Sequence, residues 1–487
     1  MVVPPRGDPG QGEGLERRDE GLKSYDIVIL GAGPGGYVAA IRGAQRGAKV
    51  LVIEREEVGG TCLNWGCIPT KALIASAETL EKIQRASAFG IMTCGEARPD
   101  LAAMVARKDK IVEAQVKGIK GLFQGFGVTL IYGEGTLKGG NRVSVRRREG
   151  GEEEIEARKI IVATGSRPAE LPGLALDGRT IISSTEALSL AQVPSSLLIV
   201  GAGVIGCEFA FLFRRLGTEV FVVEMLSRAL PMEDEDISRL LEREMKRRGI
   251  ALYCDSRVED LRDLGDGTWA ARITSGQEIR TEKIMVSVGR KFNAEGIGLE
   301  TVGISLGSRG EIPVNERMET EAEGVYAIGD VVGGMLLAHV ASRQGIVAVT
   351  NATGGEARWN PRIVPNAIFT TPEVASVGLK EREAKELGYA VKVARIPYRA
   401  LGKSHTLGEI VGEVKMVAAA DTGELLGVHI VGSGATEIIH EAALALSLEA
   451  TVEDLAEMVH AHPTLSELLM EAAHGILDQA IHVPPRT

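Results

Sequence analysis

Long hydrophobic runs are missing from this chain. No window of 18 or more uninterrupted apolar residues occurs in its 487 residues, so no segment is predicted to span a membrane. Residues 1–24, rich in Gly, Pro and charge, lack the apolar core of a secretory signal and read as a disordered tail. Positive charge is also short: 55 Lys and Arg against 66 Asp and Glu leave a net charge of -11. That argues against a general nucleic-acid binder, because such proteins concentrate positive charge. Cysteine is sparse and odd in number. The five are Cys62, Cys67, Cys94, Cys207 and Cys254, which, without a signal, points to a reducing cytoplasmic setting. There a close pair is more often redox-active than structural.

Glycine is abundant. Sixty of 487 residues is well above the usual share of about 7% and suits tight turns and close backbone approach to ligands. Some of these glycines organise an internal repeat. An apolar run, Tyr25 to Leu30, leads into Gly31-Ala32-Gly33-Pro34-Gly35-Gly36, a helical stretch to Gly47, a second apolar run, and Glu54. The pattern returns 170 positions later: Leu197 to Val200, Gly201-Ala202-Gly203-Val204-Ile205-Gly206, a helix to Gly217, a strand, and Glu224. One GxGxxG is weak evidence. Two copies, each between a strand and a helix and each followed by an acid 18 residues beyond the last glycine, meet the context that a dinucleotide fingerprint requires. The first glycine permits the turn, the second admits a pyrophosphate, and the third lets helix and strand pack. The helix N-terminus then attracts the phosphates and the acid accepts hydrogen bonds from a ribose. Closing strands follow at Lys159 to Ala163, running into Thr164-Gly165, and at Lys283 to Val288, running into Gly289-Arg290. Two such units imply two dinucleotides and electron passage between them. A carboxylate at 224 repels a 2'-phosphate and favours NAD over NADP, with nearby Arg228 as the one feature pointing the other way.

Between the first unit and its closing strand lie Cys62 and Cys67. In one regular helix they would be about 7.5 Å apart along the axis, too far for a disulfide, which needs Cα atoms within about 7 Å. Either both are free thiols, or Cys62 sits in an irregular segment that the glycines at 59, 60 and 66 permit. A helix beginning nearby would lower the pKa of a thiolate at its N-terminus. Near the C-terminus, His462 precedes Pro463 and should be extended rather than helical. Thr464 and Glu467 are spaced as a capping box, which gives Glu467 a structural role beside any chemical one.

The run GGTCLNWGCIPTKAL, Gly59 to Leu73, resembles the active-site segment of the class I pyridine nucleotide-disulfide oxidoreductases, and most of all their dihydrolipoamide-oxidising branch. The likeness extends from Tyr25 to about His482. Trp65 departs from the aliphatic residue that many members carry. The resemblance implies FAD on Gly31, Gly33, Pro34, Gly36 and Glu54, with Gly60, Thr61, Gly135, Thr164 and Gly165 nearby. It implies NAD on Gly201, Gly203, Gly206, Glu224, Val258 and Gly289. Cys67 would face the flavin, Cys62 would exchange with substrate, and the two would form a disulfide. Lys71 would stand near the flavin paired with Glu208, and Asp330 would hold the ribityl chain. Met335, Leu336, Leu337, Ala338 and His339 would open a helix whose amides face the reduced flavin. His462, oriented by Glu467, would be the base that deprotonates a dithiol, reaching the disulfide of the other subunit of a homodimer.

The implied fold is α/β, with two Rossmann-type domains and a C-terminal α+β dimerisation domain. The expected divisions are 1–24 tail, 25–167 FAD, 168–290 NAD, 291–360 completing the FAD site, and 361–487 dimerisation. The implied reaction oxidises protein-bound dihydrolipoamide with NAD. Its partners would be lipoyl domains of a separate acyltransferase or glycine-cleavage carrier, since no lipoyl segment is recognisable here. No metal, nucleic acid or membrane partner is expected. Glutathione-type reductases carry basic residues at the position of Glu224, mercuric reductases a late cysteine pair, and transhydrogenases of this fold lack the CxxxxC. Two other readings stand beside this one: an NADH-dependent diaphorase or quinone reductase with incidental cysteines, and a silent assembly subunit.

Overall fold

The computed structural model describes residues 22–484. Most of the expected tail lies outside them. Lys23 and Ser24 do not belong to a tail: they pair with Ile155 and Glu156 in the first strand, Lys23–Leu30.

Buried on both faces from Ile27 on, that strand pairs in parallel with Val50–Glu54 on one side and Glu152–Val162 on the other. Thr129–Leu137 and Val325–Ala327 extend the parallel sheet at its two ends. Arg142–Arg147 bridges Thr129–Leu137 and Glu152–Val162 antiparallel. Continuous Val/Ile/Leu runs such as Ile27–Leu30 are what a sheet covered on both faces demands. The helix Pro34–Gln45 follows the first glycine turn, with proline at its start, where the missing N–H has no intrahelical partner to lose. Its buried face is Gly35, Gly36, Ala39, Ala40 and Gly43. These small side chains let the helix Ala338–Ala352 approach until a Cβ at Gly345 would lie 2.6 Å from Gly35 O.

The second unit repeats the design. Its parallel sheet runs Ala251–Tyr253, Glu219–Val223, Ser196–Val200, Lys283–Val286, Ile181–Ile182, with Val204–Arg215 as the helix after the glycine turn. A two-stranded ribbon, Ser166–Pro168 with Arg290–Phe292, joins the units. The last part is a five-stranded antiparallel sheet ordered Asn366–Ile368, Val374–Gly378, Leu425–Val431, Glu413–Ala419, Val391–Pro397, packed against Ala435–Ser447 and Glu467–Ile476. Its seam with the second unit is ionic. Lys415 buries its ammonium against Asp234 (2.8 Å), Asp236 (2.7 Å) and Glu381 (2.9 Å), a pairing that a buried charge requires. Among the described residues no helix is long and apolar enough to cross a membrane.

Candidate active site

The two glycine turns superimpose in their chemistry. Gly31 and Gly201 have φ of +105° and +107°, the left-handed region where only glycine is at ease. A Cβ on Gly36 or Gly206 would sit 1.9 Å from the carbonyl oxygen of Gly31 or Gly201. The middle glycines differ. Nothing lies within 4 Å of a Cβ built on Gly203, and on Gly33 only Gly60 Cα at 3.9 Å. Each turn is therefore an open cradle at a helix N-terminus, sized for a phosphate. Glu54 closes the first turn by accepting from Ala32 N–H (2.6 Å) and Glu56 N–H (2.7 Å). Glu224 does the same with Ala202 N–H (2.7 Å) and Leu226 N–H (2.8 Å). Burial pushes the Glu54 carboxyl up from its ordinary value.

Both turns open into one cavity of about 2040 Å³, twice the roughly 1,000 Å³ at which single-ligand pockets usually end. Of the residues expected at the cofactors, all but Gly36, Gly206 and Met335 line it. Gly36 and Gly206 lie behind the turn and serve helix-strand contact instead. Met335 is exposed and precedes the helix, which begins at Ala338 rather than 335. The fit to two dinucleotides rests on the open cradles and on Thr164, whose buried hydroxyl lines the cavity without a hydrogen-bond partner among the described residues. Arg228 stays off the wall, its Nη2 donating to Pro231 O at 3.0 Å, whereas Glu224 and Arg257 line it. Two substitutions separate the roles of these glycines. Gly206→Ala is expected to prevent folding of the second unit, while Gly203→Val leaves the thermal transition in place and raises KM for NAD at least about tenfold, about 1.4 kcal/mol of binding. Calorimetry and steady-state kinetics read the two effects apart.

Cys62 and Cys67 do not share a helix. Cys62 lies in the short turn Gly60–Asn64, and Cys67 is the first residue of Cys67–Gln84, after the break at Trp65 and Gly66. Gly60 (φ +57°) brings this loop against the first turn, where a Cβ would stand 2.7 Å from Gly33 Cα. Both thiols are free and half-buried, so the disulfide that the resemblance implies is not formed in this structure. The Cys62 thiol donates to Cys67, and Lys71 adds its positive charge. Together they outweigh burial and hold the Cys67 thiol down to about 7, while the same hydrogen bond and burial push Cys62 up. Its place at a helix N-terminus also suits a thiolate at Cys67. Trp65 lines the cavity between the two cysteines.

Lys71 Nζ donates to both oxygens of Glu208 at 2.8 Å, and the Glu208 side chain is only 4% exposed. Asp330 accepts from the Ser166 hydroxyl and faces Arg290 Nε at 3.6 Å. His339 Nε2 donates to Pro365 O at 2.9 Å. His462 and Glu467 lie away from this cavity. His462 Nδ1 meets Glu467 Oε1 at 2.9 Å, and the imidazole is 74% exposed. The capping box expected here forms only in part. Glu467 Oε2 accepts from Thr464 N–H (2.8 Å), but the Thr464 hydroxyl turns to Ala461 O, and Glu467 is the first residue of its helix rather than the third. Partial burial pushes the Glu467 carboxyl up; the Thr464 N–H and His462 outweigh it and hold it below its ordinary value. His460, two residues before His462, packs inward with Nε2 at 2.9 Å from Glu441.

Three wall residues carried no signal in the sequence reading. Arg290 donates to Ser166 Oγ and O, Asn293 donates to Thr164 O, and Phe369 arrives from the third domain.

Comparison with known proteins agrees with this geometry over nearly the whole chain. Residues 25–345 match the family described as pyridine nucleotide-disulphide oxidoreductase, and residues 364–473 its dimerisation domain. The dihydrolipoyl dehydrogenase of Thermus scotoductus is 44% identical over 469 residues, covering 95% of this chain and 99% of that protein. One from Bacillus subtilis is 42% identical, covering 94% and 99%. The crystal structure of LpdA from Mycobacterium tuberculosis superimposes with a TM-score of 0.87 at 32% identity, covering 93% of this chain and 99% of that one.

Proposed function

The chain belongs to the pyridine nucleotide-disulphide oxidoreductase family, and on that premise we propose that it oxidises protein-bound dihydrolipoamide to lipoamide and reduces NAD to NADH. The observation that carries this reading is a thiol held low, Cys67, at a helix N-terminus in the one cavity that both glycine turns share. Bound FAD supplies the two-electron relay between the thiols and NAD. The first turn, with Glu54, Thr164 and Asp330, holds it; the second, with Glu224, holds NAD.

In the oxidised resting enzyme Cys62 and Cys67 are joined, and the free pair is its two-electron-reduced form. His462 takes a proton from one substrate thiol, and Glu467 fixes the ring through Nδ1, leaving Nε2 for that proton. The substrate thiolate attacks Cys62 Sγ, forming a mixed disulfide and releasing Cys67 as a thiolate. The second substrate thiol attacks the mixed disulfide, which closes lipoamide and frees the Cys62 thiol. Two electrons have then passed from one dithiol to the other. Lys71 and the helix N-terminus stabilise the Cys67 thiolate that remains.

His462 points to solvent on its own subunit, so the base reaches a disulfide only across a homodimer interface. The third domain leaves Leu444, Leu448 and Val459 exposed, apolar side chains that a homodimer interface would cover. The partner that brings the dithiol is a lipoyl domain on a separate carrier protein, and the sparse cysteines support a cytoplasmic setting for the reaction. Steady-state reduction of NAD and NADP by dihydrolipoamide tests the reading. Turnover is expected with NAD; quinone reduction without dihydrolipoamide turnover would favour the diaphorase instead.

A further inference from the structure

The Lys71–Glu208 pair is not held by its own two elements alone. Phe369, from the third domain, touches both members. Its backbone N–H donates to Glu208 Oε1 at 3.0 Å, and Lys71 Nζ stands 4.6 Å from the centre of its ring. An ammonium over an aromatic face at that distance is attracted by the ring quadrupole. Glu208 Oε1 thus receives Lys71 and the Phe369 amide together, and the ring closes the side of the ammonium that Glu208 leaves open.

Phe369 can impose a position because its own is fixed. Ile368 beside it is fully buried in the core that joins the helix of Cys67 to the second unit. Asn366 donates to Glu233 Oε1 at 2.6 Å, and the Thr370 hydroxyl donates to Pro372 O at 2.7 Å. Phe369 directly follows the strand Asn366–Ile368, and a side chain held between such anchors keeps its geometry more closely than one on a free loop. Lys71, by contrast, ends a flexible stem with its side chain 28% exposed.

We infer that Phe369 is a positioning residue that aims the Lys71 ammonium at the Cys67 thiolate, so that the third domain helps to set the thiol chemistry of the first. The inference rests on the proposed role of Cys67 as the flavin-facing thiol. It follows that loss of the ring lets Lys71 swing toward solvent and weakens its hold on the thiolate, although the Phe369 amide still fixes Glu208.

The test is the pH dependence of the long-wavelength absorbance that a Cys67 thiolate gives against FAD in the two-electron-reduced holoenzyme. The variants are Phe369→Leu and Phe369→Tyr. With leucine the midpoint of the band is expected to rise by about half to one pH unit, a three- to tenfold weaker thiolate. Tyrosine keeps the ring and should restore the midpoint. Equal midpoints in Phe369→Leu and the unsubstituted enzyme would overturn the inference, as would a tyrosine variant shifted as far as leucine. Absence of the band even in the unsubstituted holoenzyme would sink the functional reading and this inference with it. FAD content and thermal transition, measured on each variant, separate a lost position from a lost fold.

Discussion

Replacing Cys67 with serine is expected to lower dihydrolipoamide-dependent NAD reduction by at least about 10³-fold, the scale of loss when a reacting nucleophile is removed. The thiol lies between two sets of forces. Burial and Glu208 act against its ionisation, while the Cys62 thiol, Lys71 and the helix N-terminus act for it, and the second group prevails. A serine hydroxyl in the same place does not ionise near neutrality and cannot be the sulfur partner of Cys62, so the first exchange has no disulfide to attack and the mixed disulfide that the second needs does not form. The cavity, the glycine turns and both carboxylates are untouched by this change. NADH-dependent reduction of a quinone, which needs the cofactors but no thiol, should therefore persist within a fewfold. Loss of both activities together would point to a damaged cofactor site, and retention of both would mean that the cysteines are incidental.

The second large effect concerns His462. His462→Gln is expected to cost about 10²–10⁴-fold in dithiol oxidation, the usual contribution of a positioned base, again with quinone reduction preserved. The exposed imidazole also makes a prediction about geometry. A hybrid dimer with one Cys67→Ser subunit and one His462→Gln subunit contains one intact site if the base acts across the interface, and none if it acts within its own chain. Isolated hybrids should show about half the activity of the unsubstituted dimer, from two subunits that are separately inactive. An inactive hybrid would place the base in cis and contradict the arrangement proposed above.

The features that could be read in the sequence are those where local backbone geometry forces a residue type. Gly31 and Gly201 sit at positive φ, and Gly36 and Gly206 lie where any side chain would meet a carbonyl oxygen. Glu54 and Glu224 each satisfy two backbone N–H groups of their own turn. Such constraints act within some 25 residues and repeat intact in both units. The break between Cys62 and Cys67 was legible only through the resemblance, which implied a pairing that a continuous helix would forbid.

What depends on distant parts of the chain was not legible. Phe369 reaches Lys71 across nearly 300 positions, and nothing in a phenylalanine beside Ile368 marks it as a neighbour of an ammonium. Arg290 stood next to an expected glycine, yet its partners Ser166 and Asp330 come from two other segments. The long helix Leu101–Phe126, capped by Asp100 and ended by Gly127 at φ +68°, lies between the cysteine loop and the next strand without any motif of its own. Glu467 shows how local spacing can mislead. Thr464 and Glu467 have capping-box spacing, but the carboxylate divides its two oxygens between Thr464 N–H and His462, so that one residue starts a helix and holds an imidazole.

The state of two sulfur atoms decides the account. Thiols counted on the air-oxidised holoenzyme after unfolding should number three of the five cysteines, rising to five after reduction, with long-wavelength absorbance appearing when two electrons are added to the folded enzyme. Five reactive thiols before any reductant, and a spectrum that gains no such band, would contradict it.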